Sequence, residues 1–470
     1  MIKSSIQTGL DSLGSQLVIV PKKEKETILK EIFKSELPKV FQADYKETQI
    51  VERESTLYIL LGSGDKNTVS DLRNLALSFS TQYGKQLPDG TLLLNVPKSF
   101  NSEQLLALYN GFFVGAYTIK QNGEHFLLKS DTTVHVDKSH EDLANEAKVL
   151  ANAQITCMEW LNKPANEKTG PVFAHFAKEM AKKYDFECKV LNREEARKEG
   201  LEAYLAVNRA SEHDAAFIIM EYKHEKAQKK IGLVGKCVTF DTGGISIKPS
   251  QNLHYMKSDM GGATAVLGAF QAAAELGLPV HLIGILPATD NAVSEKAYLP
   301  SDVIRSHSGK TIEIIDTDAE GRMTLADGLS YLIKNYDPET ILDLATLTGS
   351  AVRTFGYECA ALFSKNEKLS QLLKEAGNST GEKVWQLPMW DEYAANLHSD
   401  VADIKNYSGK PIAGAIDAAM FLENFTHDHK AWAHLDIAGV AFGSTPHGKD
   451  KAATGYGVHL LIEYMKRITT

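Results

Sequence analysis

The chain has 470 residues, too many for one ordinary hydrophobic core, so its length points to two domains. It is 43% hydrophobic and 24% charged, as globular proteins are, and a formal charge of -9 with a pI near 6.0 argues against nucleic-acid or anionic-membrane binders, whose footprints are basic. Cys157, Cys188, Cys237 and Cys359 form no CxxC pair and no apolar run nears the roughly 20 residues of a membrane span, which fits a reducing, cytoplasmic setting with no membrane role.

From the N-terminus, short apolar runs (SQLVIV, LYILL, TLLLNV, HFLLKS) alternate with the helical patterns NTVSDLRNLALSFSTQYG and SEQLLALYNGFFVGAY. That alternation predicts a small α/β domain over residues 1–150. The opening MIKSSIQTGLDSLGSQ is too polar for a signal-peptide core. HEDLANEAKVLANAQITCMEWL predicts a long linker helix at about 139–161, which NKPANEKTG stops with Pro164 and Gly170; the domain boundary is placed on that helix. Residues 151–470 then carry a β/α rhythm. AAFIIM, KIGLVG, PVHLIGIL, TIEII, TILDLA, CAALFS and AHLDIA read as strands, mostly continuous in apolarity and therefore covered on both faces. With helical patterns such as GGATAVLGAFQAAAELG and MTLADGLSYLIKNY between them, a central mixed, mainly parallel sheet flanked by helices is expected. The lysine-rich KHEKAQKK (223–230) reads as a solvated hairpin tip.

In open α/β sheets, ligands sit beyond the carboxyl ends of the strands. After KIGLVG, the stretch GKCVTFDTGGISIK supplies Lys236, Asp241 and Lys248; Asp259 opens the GGATAV helix; DTDAEGR, behind TIEII, supplies Asp316, Asp318, Glu320 and Arg322. Packed together without counter-charge, Asp241, Asp259, Asp318 and Glu320 would repel one another, and bound cations would remove that conflict. Each also has a plain structural explanation: Asp259 as a helix N-cap, Thr317 with Glu320 as a capping box, Asp241 as a turn former. Capping leaves Lys236, Lys248 and Arg322 unexplained, so the joint pattern favours a site. An all-oxygen ligand set suits magnesium, manganese or calcium, whereas a neutral lysine nitrogen added to carboxylates suits zinc, cobalt or manganese. No HExxH is present, and several bridging carboxylates point to two ions sharing a hydroxide, about 3.5–4 Å apart in such sites generally.

VGKCVTFDTGGISIKPS, MKSDMGGA, DTDAEGRMTLADGL, LATLTG and WAHLDIAG, in this order, resemble the leucyl aminopeptidase family of dinuclear-metal exopeptidases. The resemblance spans essentially residues 150 to 470. It implies that Lys236, Asp241, Asp259 and Glu320 hold one divalent ion and Asp241, Asp318 and Glu320 the other, with zinc or manganese ahead of cobalt or magnesium. In the family a bridging hydroxide attacks the first peptide bond of a substrate with a free N-terminus. Lys248 is then implied to stabilise the oxyanion, and Arg322 to hold a bicarbonate that shuttles the proton. Met256 matches a side-pocket residue for leucine-like first residues, and Thr346, Leu347 and Gly349 match the segment that positions the substrate. A macrodomain-like N-terminal domain and a homohexamer with active sites facing an interior cavity are further implications.

Two positions depart from the family pattern. Asp316 stands where Asn is common, which could tighten metal binding or perturb its neighbours, and Cys237 stands where Gly is usual, as a soft ligand or a small buried hydrophobe. Two other functions stay open on the sequence: a DNA-binding or regulatory protein, as some relatives are, and a two-metal phosphoesterase, since bridging carboxylates also suit phosphoryl chemistry.

Overall fold

Two α/β units make up the computed structural model, which describes residues 5–8, 14–34, 40–87, 91–121, 124–126, 133–448 and 450–469. One comprises Met1–Ile155, Ser379–Gly381 and Pro446–Lys449, and the other Thr156–Asn378, Glu382–Thr445 and Asp450–Thr470. The smaller unit holds a sheet in the order Ser5–Thr8, Thr133–Val136, Thr91–Asn95, Ser15–Pro21, Thr56–Gly64, Thr48–Arg53, parallel except at the last pair. Two of its helices begin at side-chain caps. Thr68 Oγ1 accepts from Asp71 N at 3.2 Å before Val69–Tyr83, and Asn101 and Gln104 form a reciprocal capping box before Ser102–Gly115. Most of HFLLKS, and much of the opening MIKSSIQTGLDSLGSQ, lies outside the described residues.

The larger unit is built on a mixed sheet, in the order Val384–Gln386, Ala360–Phe363, Trp432–Asp436, Thr340–Ala345, Lys229–Gly235, Val280–Asn291, Ala216–Lys223, Glu187–Leu191. Cys237–Asp241 pairs separately with the far end of Val280–Asn291. The strands from Trp432–Asp436 to Val280–Asn291 run parallel, and antiparallel pairs flank them. These central strands are mostly buried Val, Ile, Leu and Ala, as expected where both faces are covered. A Cβ on Gly232 would lie 2.5 Å from Leu332 of the helix Glu320–Tyr336, and one on Gly235 would lie 2.6 Å from Ala263 of the helix Gly261–Glu275. Three residues apart on a strand means opposite faces, so one helix covers each side.

Three readings of the sequence are corrected here. TIEII does not enter the central sheet: Thr311–Glu313 is a short strand in a side sheet with Val303–Arg305 and Ile404–Lys405. KHEKAQKK is not a hairpin tip, because Val280–Asn291 lies between the two strands it joins. Gly170 does not help to stop the linker helix; Glu141–Asn162 ends ahead of Pro164, and Gly170 begins the next helix, Gly170–Tyr184.

Candidate metal centre

Five parallel strands bring their carboxyl ends to one rim. Cys237–Asp241 ends on Asp241, Val280–Asn291 on Asn291 and Trp432–Asp436 on Asp436, while Lys236 and Thr346 directly follow Lys229–Gly235 and Thr340–Ala345. Asp259 is not an N-cap: the helix Gly261–Glu275 has Met260 at that position, with no side-chain cap bond. Nor do Thr317 and Glu320 form a capping box. Ala319 is the N-cap of Glu320–Tyr336, and Thr317 Oγ1 instead donates to Gly243 O and accepts from Ser246 N, 2.7 and 2.8 Å away.

Freed from capping, the carboxylates converge. Asp241, Asp259 and Glu320 each offer an oxygen within 4.8 Å of the others, and all three are buried. Lys236 Nζ lies 2.8 Å from Asp259 Oδ2 and 2.9 Å from Glu320 Oε1, and donates to Thr346 O at 3.0 Å. Lys248 Nζ lies 2.8 Å from Asp241 Oδ2 and contacts Asp318 Oδ1. Asp318 stands outside the close triad, its side chain 34% exposed and paired with Lys248. Arg322 is buried, donates to Asn406 O at 2.8 Å and lies over the Phe421 ring, while its Nε has no acceptor among the described residues. Met256 sits on the turn Leu253–Ser258 just ahead of Asp259, Thr346 and Leu347 follow the strand Thr340–Ala345, and Gly349 begins the helix Gly349–Phe355.

The electrostatics fit a cation. Burial raises the pKa of Asp259 and Glu320, neighbouring carboxylates add to the rise, and Lys236 only partly offsets it. Asp318 is pushed up to about 7 by burial and by Asp241, against Lys248. Burial disfavours the Lys236 ammonium, but Asp259, Glu320 and Asp241 outweigh it and hold the proton; the same balance with Asp241, Glu320 and Asp318 holds that of Lys248. Lys236 can therefore act as a ligand only by giving up a proton that its carboxylates otherwise retain. Glu320 Oε2 is buried without a hydrogen-bond donor among the described residues, which is costly for a carboxylate unless a cation takes that oxygen. The acidic cluster can thus hold metal.

The two departures are absorbed locally. Asp316 Oδ1 accepts from Asp318 N at 2.9 Å, which shapes the turn and keeps Asp316 out of the triad. Cys237 is fully buried, and burial raises its thiol pKa, as expected of a small hydrophobe. Sequence reasoning missed two asparagines. Asn291 Nδ2 donates to Asp241 Oδ1 at 2.8 Å, and Asn406 joins the backbone at Ile315 and Asp316 to Arg322. Their signal was weak, because an isolated Asn reads as a turn residue.

Known proteins resemble this chain in sequence and fold. The family described as "Cytosol aminopeptidase family, catalytic domain" matches residues 155–462. A probable cytosol aminopeptidase of Chlorobaculum tepidum is 41% identical over 88% of this chain and 87% of its own length; one of Chlorobium limicola is 38% identical over 98% of each. Among solved structures, the bottromycin maturation enzyme BotP in complex with Mn superposes with a TM-score of 0.87 at 29% identity, covering 98% of this chain and 100% of BotP. Fold, acidic cluster and sequence agree, and the chain belongs to the cytosol aminopeptidase family of metal-dependent hydrolases.

Proposed function

We propose that the protein removes the first residue from peptides with a free N-terminus, preferring leucine-like side chains, with two divalent ions at the rim. The observation that carries this reading is the buried triad of Asp241, Asp259 and Glu320, with Glu320 Oε2 left for a cation. Lys236, Asp241, Asp259 and Glu320 would hold one ion, and Asp241, Asp318 and Glu320 the other, with zinc or manganese first. Manganese in BotP's complex supports that choice. The ions, when bound, would polarise the scissile carbonyl and activate a water at neutral pH.

This chain's residues do the rest. Lys248, between Asp241 and Asp318, would place fixed positive charge where the oxyanion develops. Arg322, anchored by Asn406 O and Phe421, would turn its unused Nε to a bicarbonate that moves the proton. Asn291 orients the Asp241 carboxylate, and Met256 would line the side pocket. A homohexamer and a cytoplasmic location complete the reading, the latter supported by the family's description. Among the described residues, no helix is long and apolar enough to cross a membrane.

The test is hydrolysis by chelator-stripped protein reloaded with Zn²⁺, Mn²⁺, Co²⁺ or Mg²⁺. Leucyl peptides should be cleaved and N-acetyl-leucyl peptides and phosphate esters left intact; cleavage of phosphate esters alone would replace the peptidase by a phosphoesterase.

A further inference from the structure

Lys168 belongs to none of the groups above, yet it is 0% exposed. A buried ammonium needs partners, and among the described residues Lys168 has no carboxylate. Its Nζ donates instead to three backbone carbonyls: Trp160 O at 3.0 Å, Leu161 O at 3.1 Å, and Lys257 O. The first two are in the last turn of Glu141–Asn162, where helical carbonyls have no intrahelical partner and the dipole end is negative. The third is two residues ahead of Asp259 and one after Met256. The contact is returned, since Lys257 Nζ donates to Asn162 O at 3.1 Å. Both lysines thus tie the helix end to the turn Leu253–Ser258: Lys168 bridges carbonyls of the two, and Lys257 reaches from the turn to the helix end. Beyond this clasp, Asp259 O accepts from Val238 N at 3.2 Å and its side chain accepts from Thr346 Oγ1 at 2.8 Å.

We propose that Lys168 is a positioning residue for the metal centre: it pins the main chain at Lys257 to the helix end, and so fixes the Asp259 carboxylate and the Met256 side chain. This rests on the reading of Asp259 as a metal ligand. Groups that orient ligands without touching the ion commonly govern affinity, and a carboxylate carried on a short turn needs its backbone held. Burial and Lys257 draw the Lys168 pKa down to about 7, in keeping with an ammonium held by carbonyls alone.

The experiment uses the full chain and two substitutions. Lys168→Met keeps the length and the apolar stem but removes all three bonds; Lys257→Met removes only the return bond to Asn162. Two readouts are followed in chelator-stripped protein, neither of which depends on peptide cleavage: hydrogen exchange of the amides of residues 253–259, and Mn²⁺ affinity by titration calorimetry. Lys168→Met should speed that exchange and weaken Mn²⁺ binding about ten- to a hundredfold, with a smaller effect of the same kind in Lys257→Met. The helix Val458–Thr469 should keep its protection in both. Unchanged exchange at 253–259 and unchanged Mn²⁺ affinity, with only a lower melting temperature, would overturn the proposal and leave Lys168 a stabilising residue. Should Lys168→Met fail to fold, a third substitution, Lys168→Gln, whose shorter amide cannot reach all three carbonyls, decides by the same two readouts. If metal binds normally and no leucyl peptide is cleaved, the aminopeptidase reading fails while the clasp remains tested.

Discussion

At the scale of single residues, the site distributes its charges unequally. Asp241 and Glu320 would each touch both ions, whereas Asp318 would touch one and is the most exposed of the three. Asp241→Ala and Glu320→Ala should therefore abolish activity and lower metal content further than Asp318→Ala does, as read by elemental analysis. Equal content across the three would remove the bridging assignment. Lys236 makes a sharper case, because it must surrender a proton that Asp259 and Glu320 help it keep. Arginine never does so, and Lys236→Arg is expected to lose metal at any working pH; a fully loaded variant would take Lys236 off the ligand set. Lys248 differs from Lys236 in kind, being assigned no ion. Lys248→Ala should retain both metals yet lose on the order of 10²–10³-fold in kcat, roughly 3–4 kcal/mol, as when an oxyanion donor is removed. A metal-replete variant within a few-fold of wild-type kcat would leave Lys248 as a structural partner of Asp241 and Asp318.

At the scale of elements, the start of Glu320–Tyr336 shows why some of the site was legible and some was not. Charge density marked DTDAEGR, and the β/α rhythm led to the carboxyl ends of the strands, near which Asp241 of the acidic triad lies. The same stretch looked like a capped helix behind a central strand, because a short apolar run carries no information about which sheet it joins. Thr317 resembles a cap by spacing, yet spends its hydroxyl on Gly243 and Ser246, more than seventy positions away in sequence. Asn291, Asn406 and Lys168 were illegible for the same reason: their partners are remote groups or main-chain atoms, which leave no pattern in a sequence. Gly321 has a reason that the sequence hid as well. A Cβ there would lie 2.6 Å from Lys236 Nζ, so the glycine makes room for the lysine to cross the helix start. In an exposed helix, Gly→Ala gains about 1 kcal/mol from propensity. Gly321→Ala should instead lower metal affinity and activity without raising the melting temperature, and a stabilised, fully active variant would show that Lys236 has slack.

At the scale of the whole molecule, stability should depend on metal and on pH. Saturating the stripped protein with Mn²⁺ at about a hundred times its Kd should stabilise it by roughly 2.7 kcal/mol per independent site, visible as a higher melting temperature. Lys168 sets a pH dependence whose sign follows from proton counting. Unfolded, it keeps its proton to 10.5, and folded to about 7. Between those values the unfolded chain binds more protons, so this residue's contribution to stability grows as pH rises through the window. The unfolding free energy of the wild type, measured against Lys168→Met, should climb from pH 7 toward 10 and stay level below 7; parallel curves would mean the lysine titrates normally.

The order of strands in the larger unit has a consequence for how the chain is made. Trp432–Asp436 lies between Thr340–Ala345 and Ala360–Phe363, both of which leave the ribosome before it. A nascent chain about 430 residues long therefore holds two apolar strands, each missing the neighbour that will cover its edge, and such edges recruit other chains. The last-made central strand also carries Asp436, whose carboxylate accepts from Leu347 N and Thr348 Oγ1 and so fixes the turn beside Lys236. Translation that stalls before Trp432 should yield an aggregation-prone product that depends on chaperones, and a metal site cannot close until synthesis has passed that strand.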